Sequence, residues 1–131
     1  MAYMGSDSIF KNTLRGGSLG FLFSNLKGGV CMKIYIAGKI SGDNMFKEKF
    51  EKTKIHFETL GYIVLNPAEL PGGMTQGDYM RICLAMVDSA DIVYFHPDHM
   101  DSKGSQIELL YARYIGKEIR HDTRQWQQTR I

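Results

Sequence analysis

The stretch from Ala90 to Ile119 constrains this chain more than any other. Asp91-Ile-Val-Tyr-Phe95 is an apolar, β-branched and aromatic run of the length a buried parallel strand needs. His96 to Gly104 then breaks every period with one Pro, one Gly and several polar residues. From Ser105, apolar residues return at helical spacing: Ile107, Leu110, Tyr111, Tyr114 and Ile115, with Gly116 placed to end the helix. Lys117-Glu-Ile119 reads as a short last strand. Strand, loop, helix and strand in this order imply an open α/β sheet, in which ligands bind beyond the carboxyl ends of the strands. Glu108 is then expected in the first helical turn past such an end. It faces either the crevice or its own helix cap.

The preceding chain fits the same architecture. Lys33–Ala37 is expected as the first strand, followed by the turn Gly38-Lys39-Ile40-Ser41-Gly42. A glycine-containing turn between strand and helix lets backbone amides approach a phosphate or sugar. Asp43 or Asn44 is the expected cap of a helix whose apolar face is Phe46, Phe50, Phe57 and Leu60, closed by Gly61. His56, among charged residues, is expected to face solvent. Tyr62–Leu65 completes a β-α-β unit. Asn66 to Gly77 is rich in Gly and Pro and leaves a strand end, which favours a lid. Asp78 to Ser89 reads as a helix with Met80, Leu84 and Val87 on one side and Cys83 beside them. The fold class is therefore an open parallel sheet with helices on both faces, flavodoxin-like or more broadly Rossmann-like.

Residues 1–31 lack this order. They hold Gly16-Gly17, Gly20, Gly28-Gly29 and scattered serines without a sustained period, so a domain over 32–119 with an extension before it is expected. An in-frame leader, a non-native remnant and a flexible arm all fit that extension; its apolar residues, among them Phe10, Leu14 and Phe21, also suit docking on a neighbouring subunit. The polar tail 120–131 shows no convincing element, and its Trp126 reads as part of a frayed end.

Charge narrows the function classes. The chain of 131 residues carries +2 overall, yet residues 33–119 hold 10 Lys and Arg against 12 Asp and Glu. A core at −2 argues against a face for nucleic-acid polymers, which would cluster basic residues. No apolar run approaches a membrane span, and Leu19–Leu26 is too short and interrupted for a secretory signal. Cys31 and Cys83 show neither metal nor disulfide spacing, which fits a reducing cytoplasm.

Two motifs invite chemistry. Ser105-Gln-Ile-Glu108 matches a capping box, in which the acid reaches back to the N-cap amide. Against that, Asp101, Ser102, Gly104 and Ser105 converge on the same strand end. A carboxylate there is placed to attack a sugar carbon, with hydroxyls to hold the sugar's oxygens. His96-Pro-Asp-His99-Met-Asp101 holds four potential metal ligands, but no second cluster completes a site, so turn formation is the better reading. Cys83, beside apolar residues, reads as a buried inert thiol. No metal and no cofactor is expected.

Four pieces in order resemble the nucleoside 2-deoxyribosyltransferase superfamily, which includes deoxynucleoside 5′-monophosphate N-hydrolases and small phage and bacterial relatives. They are Lys33-Ile-Tyr-Ile-Ala-Gly-Lys-Ile-Ser-Gly42, Gly61-Tyr-Ile-Val-Leu-Asn-Pro67, Ala90-Asp91, and Ser102-Lys-Gly-Ser-Gln-Ile-Glu108 with Ala112 and Gly116-Lys117. The resemblance implies a flavodoxin-like fold and cleavage of a deoxyribose N-glycosidic bond. It makes Glu108 a nucleophile that forms a covalent deoxyribosyl-enzyme, resolved by water or a second base with retention. It sets Tyr35 near sugar and base, Gly38 and Gly42 along the nucleotide, and Ser102 and Gly104 in the loop presenting the nucleophile. It further implies a homodimer or higher homo-oligomer acting on a small nucleoside or nucleotide.

Three positions depart from the family pattern. Cys83 stands where the family has an Asp on the helix before the third strand, which leaves Asp101 as the candidate second carboxylate. Lys39 and Ser41 replace the Ser and Arg of the hydrolases' phosphate turn, and Lys39 would meet a phosphate as a point charge without the bidentate geometry of Arg. The last strand is short and polar. An enzyme acting through Glu108 is the first reading, and a nucleotide-binding module that does not cut its ligand is the second. A phosphoribohydrolase-like enzyme is third, because the Gly-Gly-x-Gly-Thr signature of that group is missing.

Overall fold

The computed structural model describes residues 26–27 and 30–122. The expectations for residues 1–25 and for Trp126 lie outside the described residues. A short antiparallel hairpin, β1 (Leu26–Lys27) and β2 (Val30–Cys31), leads into the main unit. That unit runs β3 (Lys33–Ala37), α1 (Phe46–Thr59), β4 (Ile63–Leu65), a 3-10 turn at Pro67–Glu69, α2 (Gln76–Ser89) and β5 (Ile92–Phe95). A second 3-10 turn at Pro97–Asp101, α3 (Lys103–Tyr114) and β6 (Glu118–His121) complete it.

The four longer strands form one parallel sheet in the order β4-β3-β5-β6. Alternation along β3 and β5 divides the core in two. Ile34, Ile36, Ile92 and Tyr94 pack against Phe50 and Phe57 of α1. Tyr35, Ala37, Val93 and Phe95 face the other way, onto Cys83 and Val87 of α2 and Leu109 and Ala112 of α3. Both faces of β3 and β5 are thus buried, which is why these strands read as continuous apolar runs. Asp91 aligns the two strands: its carboxylate accepts from the Lys33 amide at 2.8 Å, and its own amide donates to the Lys33 carbonyl at 2.8 Å. The flavodoxin-like arrangement expected from the sequence is the one observed.

Helix starts differ from expectation. Neither Asp43 nor Asn44 is the N-cap of α1; Met45 occupies that position, and the Asp43 carboxylate accepts from the Met45 amide at 2.9 Å. Helix α2 begins two residues before Asp78, because Thr75 caps it and Asp78 reaches back to the Thr75 amide. Helix α3 begins at Lys103, with the Ser102 hydroxyl accepting from the Ser105 amide at 3.2 Å. Strand β6 extends through Arg120 and His121, past the expected stub, because Asp122 still donates to the Phe95 carbonyl. On α3 the buried residues are Ser105, Glu108, Leu109 and Ala112, whereas Ile107, Leu110 and Tyr114 are exposed. The apolar spacing had marked the outer face of this helix. Its inner face carries the small and polar residues.

Candidate active site

The order in which strands are added reverses between β3 and β5: β3 leads outward to β4 on one side, and β5 leads to β6 on the other. Beyond the carboxyl ends of this strand pair an α/β sheet opens a crevice. Here it is a cavity of about 980 Å³, a volume suited to a nucleotide-sized ligand. The turn after β3, the segment from Pro67 to Gly77, the first half of α2 and the start of α3 wall it.

Glu108 lies in the second turn of α3, since the helix starts earlier than Ser105-Gln-Ile-Glu108 suggested. The capping box expected there is not formed. Ser102 takes the capping position, and Ser105, one turn on, donates its hydroxyl to the Gly38 carbonyl at 3.0 Å. Relieved of a capping role, the Glu108 carboxylate turns inward to the cavity and is 5% exposed. The Tyr35 hydroxyl donates to Glu108 Oε2 at 2.8 Å. Cys83 is buried at the same cavity wall. Burial raises the Glu108 pKa to about 7, opposed by the hydrogen bond from Tyr35. Burial also drives Tyr35 well above its ordinary value and Cys83 up to about 11, so both stay protonated. A carboxyl group whose pKa is raised to about 7, held by the neutral Tyr35 hydroxyl at a cavity wall, is chemically equipped as a nucleophile or a proton carrier.

The remaining sequence-predicted residues divide. Tyr35, Gly38, Ser41, Ser102, Gly104 and Ser105 line the same cavity as Glu108. Asp101 also lines it but is exposed, at the end of the second 3-10 turn. Lys39 and Gly42 are not part of the wall. The Lys39 amide donates to the Asp98 carboxylate at 3.1 Å, so it is engaged with the protein. Gly42 has φ +80°, a left-handed conformation that favours glycine at this turn. Gly38 has a different reason: a Cβ there would come within 2.5 Å of His96 Nδ1.

The residues His96 to Asp101 serve the scaffold. His96 is buried under the Gly38 turn, bonded through Nε2 to the Thr53 hydroxyl at 2.8 Å, and its pKa is lowered to about 4, chiefly by burial. His99 is buried as well, with Nδ1 2.7 Å from the His96 carbonyl. Lys49 of α1 ties the two turns at the crevice together, donating to the Lys39 carbonyl at 3.1 Å, to Asp43 at 2.7 Å and to Asp98. Among the described residues no group of three or more His, Cys, Asp or Glu is arranged to hold a metal. None of their helices is long and apolar enough to cross a membrane.

Several wall residues escaped the reading of the sequence. Lys47 and Lys103 line the cavity, and Phe46, Leu70, Tyr79 and Met80 bring apolar and aromatic surface. Lys47 sits in a run that looks like an ordinary solvated helix face and Lys103 in the loop ahead of the helix expected from Ser105, and only the fold brings them to one wall. Cys83 carried a signal, its place beside the Asp78 helix's apolar side, but that signal could not reveal that it shares a wall with Glu108 from another helix.

A family model described as "Domain of unknown function (DUF4406)" matches residues 32–121, and the chain belongs to that family. No curated protein matches the sequence. Among solved structures, a 2-desoxiribosyltransferase from Leishmania mexicana is similar with a TM-score of 0.57 and 17% identity, over 69% of this chain and 63% of that one. A 2-deoxyribosyltransferase from the psychrotolerant bacterium Bacillus psychrosaccharolyticus is similar with a TM-score of 0.56 and 24% identity, over 68% of this chain and 70% of that one. The chain thus spans less than two thirds of the Leishmania protein. The chain shares its fold with these two deoxyribosyltransferases, the fold that the four sequence pieces implied.

Proposed function

We propose that this chain of the DUF4406 family cleaves or transfers at the N-glycosidic bond of a deoxyribonucleoside or deoxynucleoside 5′-monophosphate, with Glu108 as the nucleophile. The observation that carries the reading is the Glu108 carboxylate, buried at the wall of the crevice and held there by the Tyr35 hydroxyl instead of by its own helix end. The names of the two similar structures point to the same chemistry.

In the proposed reaction a Glu108 oxygen forms a bond to C1′ of the sugar while the C1′–N bond breaks, its electron pair leaving with the base. The base takes its proton from water, which Asp101, the second carboxyl of the wall, orients. Water, or the nitrogen of a second base, then attacks C1′ and frees Glu108, and two displacements give overall retention. Tyr35 orients the carboxylate. Gly38, Ser41, Gly104 and the turn around Ser102 and Ser105 shape the sugar site, and a 5′-phosphate meets Lys47 and Lys103. Two free cysteines, Cys31 and Cys83, support a cytoplasmic setting. The exposed stripe Ile107, Leu110 and Tyr114 supports a homo-oligomer in which a second copy covers the outer face of α3.

Chromatography of the protein incubated with each deoxynucleoside and its monophosphate, with and without an acceptor base, tests the reaction. Free base from wild type and none from Glu108→Gln is the expected result; a new nucleoside in the presence of acceptor makes it a transferase. A second reading, a nucleotide-binding module without turnover, is favoured by one observation: the groups that contact Glu108 are neutral, and Asp101 is exposed at the rim. Ligand-induced rise of the melting temperature without release of base would select it.

A further inference from the structure

We propose that Tyr79 is a positioning residue whose hydroxyl latches segment 70–74 onto α2: by bonding both the Pro71 carbonyl and the Met74 amide, it holds this segment as a wall of the cavity and sets how tightly a nucleotide is kept there. The inference rests on the reading of the cavity as a nucleotide site, and it concerns a side of the wall that the reaction scheme leaves without a task.

Other residues fasten the two ends of the connection between β4 and α2. Asn66 caps the 3-10 turn at Pro67–Glu69, and Lys54 of α1 pairs with Glu69. At the far end, Thr75 and Asp78 close the capping box of α2. Between them Pro71, Gly72 and Gly73 are exposed, and a Cβ on either glycine would meet nothing within 4 Å. Packing around the glycines therefore does not fix the tip. Gly73 has φ +91°, as at the third position of a type II turn over 71–74. Such a turn is commonly closed by a bond from its fourth amide to its first carbonyl. Here the Tyr79 hydroxyl stands between the two, donating to the Pro71 carbonyl at 2.6 Å and accepting from the Met74 amide at 3.3 Å. Among the described residues no other hydrogen bond holds 71–74.

The same side chain belongs to the cavity. Tyr79 and Met80 line it from α2, and Leu70 and Gly72 line it from the segment. Tyr79 thus joins the helical part of this wall to the loop part. Without its two bonds, consecutive glycines leave the segment free to swing outward, because glycine has the widest backbone freedom. A ligand in the cavity then loses contact on that side.

Tyr79→Phe keeps the ring and removes both bonds. Amide hydrogen exchange of the full chain, resolved by NMR, reads the latch; calorimetric titration with the common deoxynucleosides and their 5′-monophosphates reads the affinity. Tyr111→Phe, which deletes a hydroxyl bonded to Asp88 outside the cavity wall, is the control. Exchange at Met74 should be about fivefold faster in Tyr79→Phe, with α2 protected as in wild type. Every ligand that binds wild type should bind about three- to tenfold more weakly, and Tyr111→Phe should show neither change. Where base release is found, KM should rise by the same factor and kcat stay within about twofold. Unchanged exchange at Met74, or protection lost over all of α2, overturns the latch. Faster exchange with unchanged affinity overturns its bearing on the ligand. If Tyr79→Phe fails to fold, Gly73→Ala strains the tip with Tyr79 in place and should weaken binding in the same way; unchanged binding there overturns the proposal. Absence of binding to wild type by every ligand tested would refute the nucleotide reading and leave exchange at Met74 to decide the latch.

Discussion

The N-terminal ends of α2 and α3 carry the same pattern, a hydroxyl residue followed three positions later by an acid, and use it in opposite ways. At α2, Thr75 and Asp78 make the reciprocal bonds of a capping box, and Asp78 also accepts from Arg81 at 2.7 Å. Asp78 is accordingly held below its ordinary pKa, first by its backbone bond to Thr75. At α3, Ser102 caps the helix from three residues upstream of Ser105, which carries Glu108 past the helix end and into the core. There burial lifts its pKa to about 7. One turn of helix thus separates an acid that completes secondary structure from an acid available for chemistry. A motif assigns a residue to its cap only if the helix begins where the motif says.

This contrast can be broken by substitution. The largest effect is expected in activity: Glu108→Gln should lower base release by about 10³-fold or more, whereas Asp78→Asn should leave it within about threefold of wild type. Parallel single-turnover assays of the two variants check this. Equal losses would mean that Glu108 matters to the fold as Asp78 does.

Stability should respond to pH with the opposite sign at the two acids. The folded pKa of Glu108, about 7, lies above its ordinary value of 4.5. Its contribution to stability is therefore fully present below about 4.5 and is lost as pH rises through 7. Glu108→Gln should gain on wild type by up to about 2–3 kcal/mol between pH 5 and pH 8. The lowered pKa of Asp78 predicts the reverse: its contribution is present above its ordinary value and fades in acid, through a pH below 3.8. Urea denaturation of Glu108→Gln between pH 5 and pH 8, and of Asp78→Asn from neutral pH into acid below 3.8, would show the divergence; a flat difference for Glu108→Gln would deny the raised pKa.

Smaller effects test the caps themselves. Thr75→Ala and Ser102→Ala should each cost about 1 kcal/mol in chemical denaturation, and Ser102→Asn should cost less than half of that. Ser105→Asn should behave differently from a cap replacement. It inserts a larger polar side chain where a 3%-exposed hydroxyl bonds the Gly38 carbonyl, and so should destabilise more than Ser102→Asn. The reverse order would restore Ser105 as the cap.

The same contrast explains how far the sequence could be read. Strand β3 falls on Lys33–Ala37 as expected, because a strand buried on both faces leaves an uninterrupted apolar run. Gly61 and Gly116 end their helices with φ of +94° and +80°, conformations that favour glycine and so are visible in sequence. Helix α3 was located but misphased. Leu110 and Tyr114 of the expected apolar face are 66% and 92% exposed, while the buried face is built from Ser105, Glu108, Leu109 and Ala112. Periodicity finds an apolar face; it does not say whether that face meets this chain's core or lies open to solvent. Lys39 lies outside the cavity wall although its turn neighbours Gly38, Ile40 and Ser41 line it, a difference between adjacent residues that only the folded turn makes. The bond between Tyr35 and Glu108 joins residues seventy-three positions apart, and no local pattern encodes it.

The central claim is that Glu108 forms a covalent bond to the sugar, and intact-protein mass spectrometry after rapid acid quenching tests it most directly. With a deoxynucleoside or deoxynucleoside monophosphate that releases base, the account predicts an added mass of one deoxyribosyl or phosphodeoxyribosyl unit, mapped to Glu108 and missing from Glu108→Gln. Base release with the adduct mapped to another residue, or undiminished in Glu108→Gln, would contradict it.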